Sequence, residues 1–164
     1  MAPMNEKRKD HAAVSVKDGI LYVFGGSGLR NGTYVSSIER FTAATNSWET
    51  IKTDLELPER MWPGAVEIVG SDEVVIFSGH WKHHLYYDVG GPRSDVHVFH
   101  TDSNRLEKRG DIVACVPAFY PVTYDQKNSS IFFGDYESDT LFSIKLPTCN
   151  VTEILKLGFE APKP

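Results

Sequence analysis

The chain has 164 residues, enough for one domain with a real core and too few to demand two. Its 41% hydrophobic and 24% charged content is that of a soluble globular protein, and no apolar run reaches the 18 residues of a membrane-spanning helix. A formal net charge of −5 argues against nucleic acid or an acidic membrane surface as partner, because neutralising phosphates takes a basic face.

In chain order, residues 1–10 are charged and have no apolar stretch behind them, so no secretory signal is visible and a cytoplasmic location is expected. Strands are predicted over Ala12 to Val16 and Ile20 to Gly26, joined by Lys17-Asp18-Gly19, whose Asp-Gly pair tolerates positive φ. Val35 to Thr42 and the short Ser47 to Ile51, which carries Trp48, complete a first four-stranded sheet. A second set runs Gly64 to Val69, Glu73 to Gly79, Asp95 to Thr101 and Arg105 to Arg109. The third is more degenerate: Ala118 to Tyr124, Ser130 to Asp135, Thr140 to Leu146 and Asn150 to Leu155, followed by a tail. Apolar residues alternate or run in short β-branched and aromatic stretches instead of recurring every three to four positions, so the chain is read as all-β.

The three sets are copies of one another. Leu21-Tyr22-Val23-Phe24-Gly25-Gly26, Val74-Val75-Ile76-Phe77-Ser78-Gly79 and Ser130-Ile131-Phe132-Phe133-Gly134-Asp135 share one pattern, and Phe24, Phe77 and Phe133 recur at intervals of 53 and 56 residues. That period belongs to propeller-type arrays. The glycine pair ending the second strand has a mechanical use: without a Cβ the backbone can turn sharply and pack closely against the next blade.

Gly25-Gly26, the downstream Tyr34, Ser37-Ile38-Glu39-Arg40-Phe41, Thr45-Asn46-Ser47-Trp48 and the Leu57-Pro58-x-Arg60 exit together resemble the kelch repeat, and in particular the animal kelch-like proteins that join a BTB region to a kelch propeller. Later blades depart from the pattern, with Ser78 for the first glycine, Asp135 for the second and Leu106 for the tryptophan. The resemblance implies three four-stranded antiparallel blades of an incomplete propeller. Residues 1–10 read as the exit of an absent preceding blade, 11–60, 61–113 and 114–155 as blades, and 156–164 as tail. Closed propellers need four to eight blades, so the chain is read as part of a longer protein, with closure of a six-bladed ring by two self-associating arcs as the alternative.

Chemistry-bearing groups are sparse. The glycines from Gly25 to Gly32 lack the following helix and the Lys-Ser/Thr of a phosphate-binding loop. His80, His83 and His84 have only Asp88 near a ligand spacing, while His11, His97 and His100 sit in strand-like sequence, so no metal or other cofactor is expected. Cys115 and Cys149 form no C-x-x-C pair and suit a reducing compartment, and three N-x-[ST] sequons, at Asn31, Asn128 and Asn150, are read as coincidental without a signal peptide. No Ser-His-Asp or Cys-His order is visible, so a catalytic role is not expected, although some kelch propellers are sugar-oxidising or epimerising enzymes.

The connection between the second and third strands varies most: 11 residues from Gly26 to Ser37, 16 from Gly79 to Asp95 and 5 from Asp135 to Thr140. Length variation on one face is what a binding surface shows. The long connection carries His80, Trp81, His83, His84, Tyr86, Tyr87 and Arg93, rich in the aromatic and arginine anchors that dominate interfaces. Leu85, Tyr86 and Tyr87 could instead fold back over the blade edge. Arg30, Glu59 and Arg60 fall on the same rim, and Arg60 equally fits a structural role. The resulting expectation is a non-enzymatic module that binds a partner peptide or domain. The resemblance suggests a substrate for a cullin-type ubiquitin ligase, or a cytoskeletal protein such as actin, as that partner. The rival readings are a propeller enzyme and a fragment without function.

Overall fold

The computed structural model describes residues 1–28, 33–82, 90–112, 122–135, 140–146 and 148–156. Sixteen strands lie among them. The chain starts with β1 (Arg8–Lys9), β2 (Ala12–Val16), β3 (Ile20–Phe24), β4 (Ser27–Gly28), β5 (Ile38–Thr42) and β6 (Ser47–Ile51). It continues through β7 (Gly64–Ile68), β8 (Glu73–Phe77), β9 (His80–Lys82), β10 (Gly90–Pro92), β11 (Asp95–His100) and β12 (Arg105–Asp111). The last four are β13 (Thr123–Asp125), β14 (Ser130–Asp135), β15 (Thr140–Lys145) and β16 (Asn150–Lys156).

Three antiparallel meanders result, in the orders β2-β3-β5-β6, β7-β8-β11-β12 and β13-β14-β15-β16. These are the expected four-stranded kelch-type blades of an incomplete propeller. The first hairpin turns where the Asp-Gly pair predicts, with Asp18 at φ 63° and Gly19 at φ 69°. Several strands stop short of their predicted ends: β3 and β8 end at Phe24 and Phe77, because Gly25, Gly26, Ser78 and Gly79 all adopt positive φ and leave the ladder. Two short ladders, β1 with β4 and β9 with β10, lie in segments read as loop from the sequence. The predicted tail beyond residue 156, Cys115 and most of the first predicted strand of the third blade lie outside the described residues.

The blades pack face to face, which explains why the second strands are continuously apolar instead of alternating. On β8, Val74 and Ile76 join a core with Val14, Tyr22, Phe24 and Ile38 of the first blade, whereas Val75 and Phe77 join another with Ile131, Phe133 and Ile144 of the third. Phe99 of β11 is fully buried and meets Tyr22 and Phe24 edge-on, with ring centroids 5.1 and 5.7 Å apart. Phe77 meets Phe133 at 5.0 Å across the other junction. Aromatic pairs in these geometries contribute about 0.5–1.5 kcal/mol each beyond the area they bury.

The opposite face of the first blade carries Val23, Glu39 and Phe41, and residues 2–6 lie across its outer half. Trp48 Nε1 donates to the Ala2 carbonyl at 2.9 Å, and the Asn5 and Glu6 N–H groups donate to the two oxygens of Glu39 at 2.8 and 3.1 Å. Residues 54–60 cross the second blade in the same way, where Asp54 Oδ1 accepts from the Leu106 N–H at 3.0 Å.

Candidate functional site

In each of the first two blades, the link between the second and third strands and the segment entering the first strand meet at one end of the sheet. In the first blade, Arg8-Lys9 pairs with Ser27-Gly28. In the second, Met61 and His80 exchange backbone hydrogen bonds of 3.0 and 2.8 Å, after which β9 and β10 form a hairpin with Trp81 opposite Gly91. Asp10 and Trp62 stand at equivalent positions before the first strand, both at positive φ, and the Trp62 N–H donates to the Asp10 carbonyl at 2.7 Å. That bond ties adjacent blades together at this end. The Trp62 ring meets His80 edge-on at 6.4 Å, and Ser27 Oγ donates to Asp10 Oδ2 at 3.1 Å. Tyr34 is buried beside them; desolvation, then the Asp10 carboxylate, pushes its hydroxyl pKa upward.

Glycine is required at the joint by close approach as well as by φ. A Cβ on Gly25 would stand 2.7 Å from the Arg60 carbonyl oxygen, the same oxygen that accepts from the Gly26 N–H at 2.8 Å. Arg60 therefore holds the first blade through its backbone and the second through its side chain. Its guanidinium is buried and donates to the Ser78 and Pro58 carbonyls, each at 3.1 Å, and to Asp95. Asp95 also receives His97 Nδ1 at 3.1 Å and Arg93 at 3.4 Å. Burial would raise the Asp95 pKa, but the His97 hydrogen bond and the Arg60 and Arg93 charges outweigh it and hold the carboxyl far below the usual range.

The predicted rim residues thus separate. Arg60 takes the structural role, enclosed and fully engaged between blades. Arg93 is partly exposed and held in place, its Nε donating to the Glu59 carbonyl at 2.9 Å, so Arg93 and the exposed Glu59 lie together. His80 is partly exposed at the base of the hairpin whose first strand carries Trp81. Arg30, His83, His84, Tyr86 and Tyr87 lie outside the described residues. Sequence reasoning passed over Trp62, Asp10, Arg8 and Asp95. The signal for three of them was available as the repeat itself: Asp10 and Trp62 are 52 residues apart, as are Arg8 and Arg60.

Chemically, the Asp95–His97 pair resembles the base-orienting half of a hydrolytic triad, but its carboxylate is shared with two guanidinium groups that draw on the same oxygens. The arrangement fixes side chains between blades. Among the described residues, no group of three or more His, Cys, Asp or Glu is placed to hold a metal ion, and no helix is long and apolar enough to cross a membrane.

The Kelch motif family model matches residues 8–53, which span the first blade. Kelch-like protein 23 of Homo sapiens is 41% identical over 51 residues, covering 31% of this chain and 9% of that protein. The Mus musculus and Pongo abelii proteins of the same name are 42% identical over 50 residues and 41% over 51, again across 9% of their length. The match therefore spans about 9% of the curated relatives.

Proposed function

We propose that this chain, a kelch-repeat protein whose first blade is similar to those of kelch-like proteins, binds a protein partner at the end of the blades where the β9–β10 hairpin emerges. The observation that carries the reading is the construction of that end. A rigid joint of buried arginine, glycine turns and inter-blade backbone bonds presents a hairpin bearing Trp81, flanked by the partly exposed His80 and Arg93. Binding groups held on loops by a rigid scaffold are the usual division of labour in such folds. Aromatic and arginine side chains are also the residue types that dominate interface energies.

The likeness to kelch-like proteins supports an interaction module over an enzyme. Within that reading, the partner is a protein presented for modification by a cullin-type ubiquitin ligase, with a cytoskeletal protein as the other member of the class. Its delivery would require regions that these 164 residues do not contain.

A photo-crosslinking amino acid at position 81 tests the reading. We expect a discrete adduct from that position and none from position 18, in the hairpin turn at the opposite end of the first blade. Equal labelling from both positions would remove the assignment of the binding face.

A further inference from the structure

A cleft of about 510 Å³ opens on the flank of the second blade, between residues 55–58 and the outer strands β11 and β12. Three carboxylates, of Glu56, Asp95 and Asp111, stand there against three cations, Arg93, Lys108 and, behind Asp95, Arg60. Asp95 is held by Arg60 and Arg93, Asp111 pairs with Lys108 at 2.8 Å, and Glu56 accepts from Ser36 Oγ of the first blade at 3.2 Å. Charge therefore draws a ligand of neither sign. What the cleft leaves unmatched is one acceptor on a buried side chain. His97 is 2% exposed, and its Nδ1 donates to the ionised Asp95 at 3.1 Å. Arg60 Nη2 is farther from that nitrogen, at 3.4 Å, and donates to the same carboxylate. The proton thus sits on Nδ1, and Nε2 of the neutral ring carries a lone pair. Nε2 bonds to no described residue, is not sealed from solvent, and belongs to a side chain that lines the cleft.

The first blade shows what an acceptor at this place takes. Val96 pairs with Phe77 as Ile38 pairs with Phe24, so His97 stands at the place of Glu39. Glu39 accepts two amide N–H groups of the segment crossing its blade, from Asn5 and Glu6 at 2.8 and 3.1 Å. In the second blade the counterpart of Glu6 is Pro58, which has no N–H to give. We propose that the cleft binds the side-chain carboxamide of an asparagine or glutamine of a partner peptide, with its NH₂ group donating to His97 Nε2. Lys108 lies directly opposite His97 in the β11–β12 ladder, which sets the two side chains next to each other. Its ammonium group has three hydrogens, of which the Asp111 pair engages one, and another serves the carboxamide oxygen. A carboxylate has no hydrogen for Nε2, and an ammonium group has no acceptor for Lys108; a carboxamide has both. The site goes beyond the hairpin reading, since neither His97 nor Lys108 lies on that hairpin.

The test is a magnetic-resonance titration of the full ¹⁵N-labelled chain, read at the His97 ring nitrogens and the Lys108 amide. The probes are the Nα-acetyl methylamides of glutamine, glutamate, lysine and methionine, which share their backbone amides and differ in the side-chain group. Saturable shifts with the glutamine probe are expected, with the other three about tenfold weaker or absent, the scale of leaving a buried acceptor unmet. Lys108→Met, on the exposed side of the cleft, should weaken the glutamine probe about fivefold, the net scale of one hydrogen bond. The proposal is overturned if the glutamine probe moves neither signal, if any other probe binds as tightly, or if Lys108→Met binds the glutamine probe as the unaltered chain does.

Discussion

Arg8 and Arg60 occupy one place in successive blades. Each guanidinium is buried and donates through Nη1 to the carbonyl of the first turn residue after the second strand, Gly25 at 3.0 Å and Ser78 at 3.1 Å. Each donates through Nη2 to an acid on the third strand, but that acid shifts by two residues. Blade one has Ser37 and Glu39 on the face toward the arginine, and blade two has Asp95 and His97. The arginine is kept while its counter-ion moves, which marks the cation as the fixed element of the joint.

Removing it should therefore be costly. Arg60→Ala removes the buried guanidinium that Asp95 shares with His97 and Arg93 and leaves the Ser78 and Pro58 carbonyls without their donor, so the cost should approach the lower end of the roughly 3–5 kcal/mol typical of breaking a buried pair. Arg60→Lys should recover only part of this, since an ammonium cannot bond Pro58, Ser78 and Asp95 in the fork geometry. Urea unfolding gives the comparison, with a lowered midpoint and an unchanged slope as the expected result.

Acid should weaken the same joint. The Asp95 pKa is depressed in the folded chain, so the unfolded state takes up its proton first, and the contribution of Asp95 is complete above about pH 5 and drains away as pH falls through the ordinary carboxyl range. In Asp95→Asn that contribution is absent at neutral pH, so the stability gap to the unaltered chain should shrink steadily as the solution is acidified. Parallel stability curves from neutral pH down to about pH 3 would contradict the assignment.

How much of this could be read from the sequence depended on the range of the interaction. The hairpin at Asp18-Gly19 and the three copies of the second strand are local patterns; they form where read, two of them ending two residues early at the positive-φ pairs. The β9–β10 ladder was missed because Gly90-Gly91-Pro92 has no strand propensity, and its pairing partner lies across a long connection. The arginine joints were missed because they join residues 31 and 35 positions apart and the acid changes place between blades. Of the predicted binding residues, Arg60, Tyr86 and Tyr87 were open to a structural reading; Arg60 is buried, and the two tyrosines lie outside the described residues.

The degenerate glycine position offers an opposite prediction. Ser78 is buried at φ 58°, and its Oγ has no hydrogen-bond partner among the described residues. Ser78→Gly relieves left-handed strain and removes an unsatisfied hydroxyl, which outweighs the added chain entropy, so it should stabilise by about 1 kcal/mol. Gly26→Ala should do the reverse by about 2 kcal/mol or more, because its Cβ would lie 2.6 Å from the Lys9 carbonyl oxygen at φ +104°. Thermal midpoints of the two variants, moving in opposite directions, check both.

The most direct measurement for the central claim is the affinity of the partner cross-linked at position 81, taken by calorimetry for the unaltered chain and for Trp81→Ala with Arg93→Ala. The account predicts a loss of about 2 kcal/mol or more, near thirtyfold, with the cooperative unfolding transition retained. Equal affinity in a folded double variant would contradict it.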